Sequence, residues 1–441
     1  MEERKSMLLN DLKKSDPDVF DLIVAEGDRV ENGVELIPSE NFISKAVMQA
    51  MSSVFTNKYS EGYPGRRYYG GQEFVDKLER LAIRRAKELF GAEHVNVQPY
   101  SGSPANHAVF FALLELGDKF MGLDMGCGGH LTHGSPVNFS GLSYTPVLYY
   151  VDRETELIDL DEVRKAAVKE RPKMIISSLT AYPRRLDFRG FQEICEEVDA
   201  YHLADISHIA GLIVGGVHES PFPFTDVVTT TTHKSLRGPR GAIVMCRKED
   251  RLHDLYHPGT EKDMRQLIDS AVFPGLQGGP HDHITAAKAV AFSEALRPEF
   301  KTYAAQIVKN AKAMADELMA QGVKLVTDGT DNHLMVIDMR PSGLTGKGRQ
   351  LQTAMDKAGI TLNRNSVPFD EARPFNPSGL RLGTPAVTTR GMGEDEMRVI
   401  ARCIARVLGD YKDKAALEKT RQEIVDLVSD FPLYPDFTVL E

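Results

Sequence analysis

An apolar run, Asp226-Val227-Val228, passes directly into four hydroxyls, an imidazole and an amine, Thr229-Thr230-Thr231-Thr232-His233-Lys234, with Arg237 and Arg240 close behind. Such polarity at a strand end is costly unless the groups are used. An amine among hydroxyl donors and like charges has its pKa lowered, and a neutral amine is what Schiff-base formation needs. Most lysines in loops are simply exposed; the company of Lys234 sets it apart. A second run, Tyr201-His202-Leu203-Ala204-Asp205, ends on a carboxylate and leads to His208. Ligands of open α/β sheets sit at the carboxyl ends of strands. An aspartate there either caps the next helix or bonds the ring nitrogen of a cofactor such as pyridoxal phosphate, keeping it protonated as an electron acceptor.

Three further stretches supply anion-binding chemistry. Ser101-Gly102-Ser103-Pro104 opens the apolar segment 105–116, and Ser103 as N-cap with Pro104 at the first helical position marks a helix start. The unpaired N–H groups there suit a phosphate. Gly278-Gly279, after Gln277, forms a second loop whose backbone can approach an anion closely. Arg381, inside Gly379-Leu380-Arg381-Leu382-Gly383, carries a fork that can hold a carboxylate by two bonds. Cys127-Gly128-Gly129-His130-Leu131-Thr132-His133 spaces soft ligands three apart, but no further ligand lies nearby in sequence, so no metal is expected. A histidine flanked by glycine is better suited to lying flat on a planar ring.

These groups need a scaffold, and the chain has the length for one. Its 441 residues fit two or three packed units, and 42% hydrophobic with 26% charged residues is an ordinary globular composition. A net charge of −10 argues against a nucleic-acid partner, so any anion site must be built locally. Cysteines at 127, 195, 246 and 403 form no CxxC pair, which points to a reducing cytoplasm. The N-terminus lacks an apolar core of the secretory type, and no window approaches the ~18 apolar residues of a membrane span. Apolar positions three or four apart predict a helix over 74–90. Beyond it, β-type runs at 95–98, 119–123, 145–151, 173–177, 201–204, 226–231 and 241–246 alternate with helical stretches. The pattern predicts an α/β fold with a seven-stranded, mainly parallel sheet covered on both faces. An Ala-rich helix after Pro280 leads to a break at Arg297-Pro298. A smaller C-terminal α/β unit follows, with strands near 323–326, 333–338, 360–363 and 379–382 and helices near 348–358 and 393–409. The expected division is a helical arm over 1–30, a large domain over 31–298 and a small domain over 299–441.

Taken together, Glu35-Leu36-Ile37-Pro38-Ser39-Glu40-Asn41, Thr56-Asn57-Lys58-Tyr59-Ser60-Glu61-Gly62-Tyr63-Pro64-Gly65-Arg66-Arg67-Tyr68-Tyr69-Gly70-Gly71, the Thr229–Lys234 block and Arg381 resemble the serine hydroxymethyltransferase family. The resemblance implies pyridoxal-phosphate fold type I, the aspartate-aminotransferase-like architecture. It implies reversible conversion of L-serine and tetrahydrofolate to glycine and 5,10-methylenetetrahydrofolate, with pyridoxal 5'-phosphate held covalently on Lys234. Asp205 would pair with the pyridine nitrogen and His130 would stack on the ring. His208 and Thr180 would lie beside the phenolic oxygen, and His233 would border the cofactor next to Lys234. Ser101, Gly102 and Ser103, with Gly279 from a second subunit, would hold the phosphate. Arg381, Ser39 and His208 would bind the amino acid. Tyr59 and Glu61 would reach in from a second subunit, Glu61 as acid/base, and Tyr69 would support Arg381. Folate contacts would fall to Met125, Gly129, Leu131, Asn365 and Phe375. Shared sites imply at least a homodimer. Thr180 stands where the family usually has serine, and Cys127 where it often has histidine. A folate-independent β-hydroxy-amino-acid aldolase or transaldolase, or an α-methylserine hydroxymethyltransferase, is the alternative on the same scaffold.

Overall fold

The computed structural model describes residues 7–434, so the first six residues of the expected arm and the last seven of the small unit lie outside the described residues. Seven strands form the main sheet: β1 (His94–Asn96), β2 (Lys119–Leu123), β3 (Thr145–Tyr149), β4 (Met174–Ser178), β5 (Tyr201–Asp205), β6 (Val227–Thr231) and β7 (Ala242–Cys246). Their order is β1-β7-β6-β5-β4-β2-β3. Only β7 runs against the rest, antiparallel to both β1 and β6. This is the expected mainly parallel sheet, and its ends differ from the expected runs by a residue or two at most positions. Alternation along each strand builds two cores. On β7, Ile243 and Met245 face one apolar layer while Ala242, Val244 and Cys246 face the other. A sheet apolar on both faces must be covered on both.

The helices include α1 (Pro17–Glu31), α2 (Glu73–Phe90), α3 (Gly102–Leu113), α4 (Asp282–Ala295), α5 (Pro298–Ala320), α6 (Gly348–Lys357), α7 (Glu394–Asp410) and α8 (Lys414–Ser429), of which α6, α7 and α8 pack in a separate C-terminal core. Ala82, Ala86 and Phe90 of α2 and Ala289, Phe292 and Ala295 of α4 pack in one layer, and Ala105, Val109, Phe110 and Leu113 of α3 in the other. The chain breaks at Arg297 and restarts with Pro298 at the first turn of α5, where its missing N–H costs nothing. Helix α5 then serves both cores: Phe300, Tyr303 and Ile307 join the large one, Ala311, Met314 and Leu318 the C-terminal one.

The C-terminal sheet is β8 (Leu334–Asp338), β9 (Asn363–Asn365) and β10 (Gly379–Gly383), with β10 in the middle and antiparallel to both neighbours. Two expectations change here. The run at 323–326 is not a strand: Leu325 makes a single bridge to Ile337, and Val326–Asp328 then turns in a tight helical loop. The run at 360–363 divides, because Ile360–Thr361 pairs in parallel with Val34–Glu35 while Asn363–Asn365 joins β10. Val34 and Leu36 accordingly pack in the C-terminal core. No helix among the described residues is long and apolar enough to cross a membrane.

Arg390 fastens this arrangement. Its guanidinium donates to five backbone carbonyls: Phe431 at 2.5 Å, Val30 at 3.1 Å, Gly33 at 2.9 Å, Glu31 at 2.6 Å and Val428 at 3.3 Å. The end of α1 is thereby tied to the end of α8. Arg390→Met removes this donor from all five carbonyls, although Val428 keeps the Phe431 amide at 3.0 Å, and at ~1–3 kcal/mol for each one left buried without a donor it is expected to cost about 3 kcal/mol or more, read as a lower urea midpoint. A midpoint matching the parent protein would show that the five bonds contribute nothing.

Candidate active site

Polar groups gather at the carboxyl edge of the main sheet, where pairing sets Asp205 at the end of β5 between Ser178 of β4 and Thr229 of β6. Every protein partner of the buried Asp205 carboxylate is a donor. Asn106 Nδ2 gives at 2.9 Å, the Ser207 amide at 3.1 Å and the Ser207 hydroxyl at 2.6 Å, with His133 Nε2 at 3.4 Å. Burial pushes the carboxyl pKa up, yet the bond and charge of His133, with His130 and Asn106, hold it well below the usual carboxylate range. The His130 amide donates to His133 Nδ1 at 3.1 Å, which leaves the His133 proton on Nε2, toward Asp205. Asn106 is fixed from both sides: its oxygen accepts from the Thr229 hydroxyl at 2.6 Å, and its nitrogen also donates to Thr132 Oγ1 at 2.9 Å.

Lys234, beyond the end of β6, is 8% exposed. Its amine makes no protein hydrogen bond among the described residues. Burial lowers its pKa to about 8; Asp205 opposes the shift, while Arg381 and Arg240 add to it. His130 is held with Nδ1 accepting the Thr132 amide at 3.2 Å and 2.8 Å from the Thr132 hydroxyl, and burial pushes its pKa down to about 3. His208 is fully enclosed, its Nδ1 3.2 Å from His333 Nε2. Burial, followed by the charges of Lys234 and Arg381, keeps both imidazoles neutral.

Arg381 comes from β10 of the other sheet and reaches back to the main one. Its Nε donates to Asn363 Oδ1 at 3.0 Å and its Nη1 to the Thr180 carbonyl at 2.7 Å. Both acceptors are neutral. No carboxylate meets this cation among the described residues, and burial lowers its pKa to about 10. Thr180 is itself anchored by its amide to the Gly128 carbonyl at 2.8 Å.

The phosphate candidates differ from expectation in register. Helix α3 starts at Gly102, so Ser101 and not Ser103 is the N-cap, and its hydroxyl forms no capping bond. A Cβ on Gly102 would lie 2.8 Å from Thr231 Cγ2, so glycine lets the helix start press against the end of β6. His233, its Nδ1 buried without a partner, lines a cavity of about 370 Å³ with Ser39, Asn41 and Arg240. Among the folate candidates, Met125 lines a cavity of about 300 Å³ with Cys127, His130, His133, Phe369 and Pro374. Gly129 lies against the Leu123 carbonyl, with no room for a side chain. Leu131, Asn365 and Phe375 are not among that cavity's lining residues; Phe375 is exposed, with Arg349 and Arg364 over its ring at 5.4 and 5.1 Å.

Tyr59, Glu61, Tyr69 and Gly279 form a separate constellation. The Tyr59 hydroxyl donates to Glu61 Oε1 at 3.3 Å, its ring meets Tyr69 edge-on at 5.3 Å, and Gly279 backs onto the same ring. Tyr59 and Tyr69 are 54% and 50% exposed. None of the four touches Lys234, Asp205 or Arg381 among the described residues. Asn106, Thr132, Ser207, His333 and Asn363 were missed by sequence reasoning. Asn106 gave a signal, as a polar residue within an apolar helix, and so did His333, which stands immediately before the apolar strand β8.

The serine hydroxymethyltransferase family model matches residues 12–404. The chain belongs to the serine hydroxymethyltransferase family. Its sheet and helices are those of pyridoxal-phosphate fold type I, and the family is one of hydroxymethyltransferases that move one carbon between serine and glycine with folate as co-substrate. The residues of the first constellation fit the serine hydroxymethyltransferase cofactor. They offer an unbonded buried amine, an ionised acid, a helix N-terminus with an unused hydroxyl, and a buried cation without a counter-charge.

Proposed function

We propose that this chain interconverts L-serine plus tetrahydrofolate with glycine plus 5,10-methylenetetrahydrofolate. The observation that carries this reading is Arg381: a buried guanidinium bonded only to neutral oxygens, in the electrostatic neighbourhood of Lys234 and Asp205, is suited to an α-amino acid carboxylate. Pyridoxal phosphate, when bound, supplies the electron sink that makes the bonds at the amino acid α-carbon breakable. Lys234 would hold it covalently, Asp205 would keep its ring nitrogen protonated, and His130 would cover the ring. Thr180 and His208 would serve its phenolic oxygen, with His233 beside Lys234. Ser101, Gly102 and Ser103 bind its phosphate. Arg381, Ser39 and His208 orient the substrate, and Met125, Gly129, Leu131, Asn365 and Phe375 border the folate.

In this reading Tyr59, Glu61, Tyr69 and Gly279 serve the site of a second copy in a homodimer. Their clustering on one exposed face, away from their own Lys234, supports it. The four free cysteines suit a reducing cytoplasm. Glu61 moves the protons of the one-carbon transfer. Glu61→Gln, which keeps the shape and loses the titrating group, is expected to lower folate-dependent transfer by about 10²-fold with cofactor binding intact. Transfer at the parent rate would remove Glu61 from that role.

The whole reading is tested with the holoprotein and L-serine, with and without tetrahydrofolate, scoring glycine and methylenetetrahydrofolate together. Folate-dependent formation of both is expected. Glycine release indifferent to folate would transfer the assignment to an aldolase, and activity confined to α-methylserine would transfer it to an α-substituted substrate.

A further inference from the structure

Arg67 pairs with Gly62, the residue after Glu61, in a two-stranded hairpin of Gly62–Tyr63 against Arg66–Arg67. Its side chain is almost fully enclosed, and every nitrogen is engaged. Nη1 donates to the Ser60 carbonyl and to the Gly62 carbonyl, both at 2.8 Å. Those carbonyls belong to the residues on either side of Glu61. Nε donates to Asp76 at 2.9 Å and Nη2 to Glu79 at 2.7 Å, so the guanidinium is itself held by α2.

The surrounding bonds serve the same end. Gln98 Nε2 donates to the Gly62 carbonyl at 2.9 Å and to Glu79 at 3.0 Å. The Ser60 hydroxyl is shared between both oxygens of Asp282 at 2.8 Å, and the Tyr68 amide closes onto the Glu61 carbonyl at 3.1 Å. Gly62 has φ +98, and a Cβ there would collide with the Arg66 carbonyl. The backbone around Glu61 is therefore fixed at both flanking residues, while its carboxylate projects beyond the clamp toward Tyr59 and Gly278.

We infer that Arg67 is the positioning residue for Glu61, holding the two flanking carbonyls so that the carboxylate is delivered at one place and angle. This rests on the reading of Glu61 as the group that moves protons in the one-carbon transfer. A lysine at this position keeps the charge but cannot span two carbonyls and two carboxylates in one plane. Misplacing a reacting group by about 1 Å costs on the order of 10²-fold in rate.

The test is a double-mutant cycle in the holoenzyme with R67K, E61Q and the pair, alongside hydrogen exchange of the Tyr68 amide. R67K is expected to lower folate-dependent kcat by about 10- to 100-fold, with little change in the KM for serine or in the cofactor absorbance. The Tyr68 amide should exchange faster. In the E61Q background the same change should cost less than about threefold, because the group it positions is already disabled. Equal losses in both backgrounds, or full transfer by R67K, overturn the inference alone. Full transfer by E61Q overturns the role of Glu61 and this inference with it. If R67K does not fold, Q98A, which removes the second donor to the Gly62 carbonyl, is put through the same cycle. It must show the same dependence on Glu61, and an equal loss in both backgrounds rejects the inference.

Discussion

Lys234→Ala is expected to abolish serine–glycine interconversion, by about 10³-fold or more, while the protein stays folded. The side chain removed is the buried amine whose pKa burial lowers to about 8. An ordinary lysine at pH 7 is free amine to only about 0.03%, whereas a group titrating near 8 is free to roughly 10%, and only the free amine adds to a carbonyl. Cofactor capture by the apoprotein should therefore accelerate as pH rises through about 8 and then level off. Among the described residues the amine makes no protein hydrogen bond, so its loss leaves none of their donors or acceptors stranded. Assay of the purified variant beside its melting temperature checks both halves of the expectation. Activity near the parent level would refute the covalent role of Lys234.

Asp205→Asn should be nearly as severe, for a reason visible in its partners. Asn106, His133, the Ser207 amide and the Ser207 hydroxyl all point hydrogens at the carboxylate. An amide can face them with only one oxygen. Whichever way it turns, its NH2 group meets donors, and the negative charge that would keep a ring nitrogen protonated is gone. A loss of about 10²–10³-fold in kcat is expected, the range for removing one pre-organised electrostatic group. The bound cofactor's absorbance should change as well, and a spectrum and rate unchanged from the parent would exclude Asp205 as the ring partner.

The sheet was legible because its strands are continuous apolar runs separated by helical periods, and a strand buried on both faces has no other way to read. The active-site edge was legible for the complementary reason: Thr229 to Lys234 and Asp205 are polar where the pattern demands apolar residues. The parts that escaped depend on contacts distant in sequence. His333 meets His208 across 125 positions, and Asn363 meets Arg381 only because two strands of the small sheet are neighbours. Nothing local marks Asn363 as a site residue, and the place of His333 just before the apolar strand β8 does not reveal its partner. The start of α3 was misplaced because Ser-Pro is a strong start signal, yet here the chain turns helical two residues before that proline. Close packing of Gly102 on Thr231 outweighs the local preference. The split of 360–363 escaped likewise, since half of that run is claimed by a segment from the beginning of the chain.

That claim sets an order on how the molecule is made. Val34 pairs with Ile360, and both Val34 and Leu36 are buried in the C-terminal core. The ribosome delivers residue 34 long before residue 360; at roughly 5–20 residues per second, on the order of 15–65 seconds separate the two. All seven strands of the main sheet emerge within that interval and can assemble. The early segment cannot join them: its apolar side chains wait for partners until residues beyond 310 arrive, so a segment synthesised before the main sheet finds its place after it.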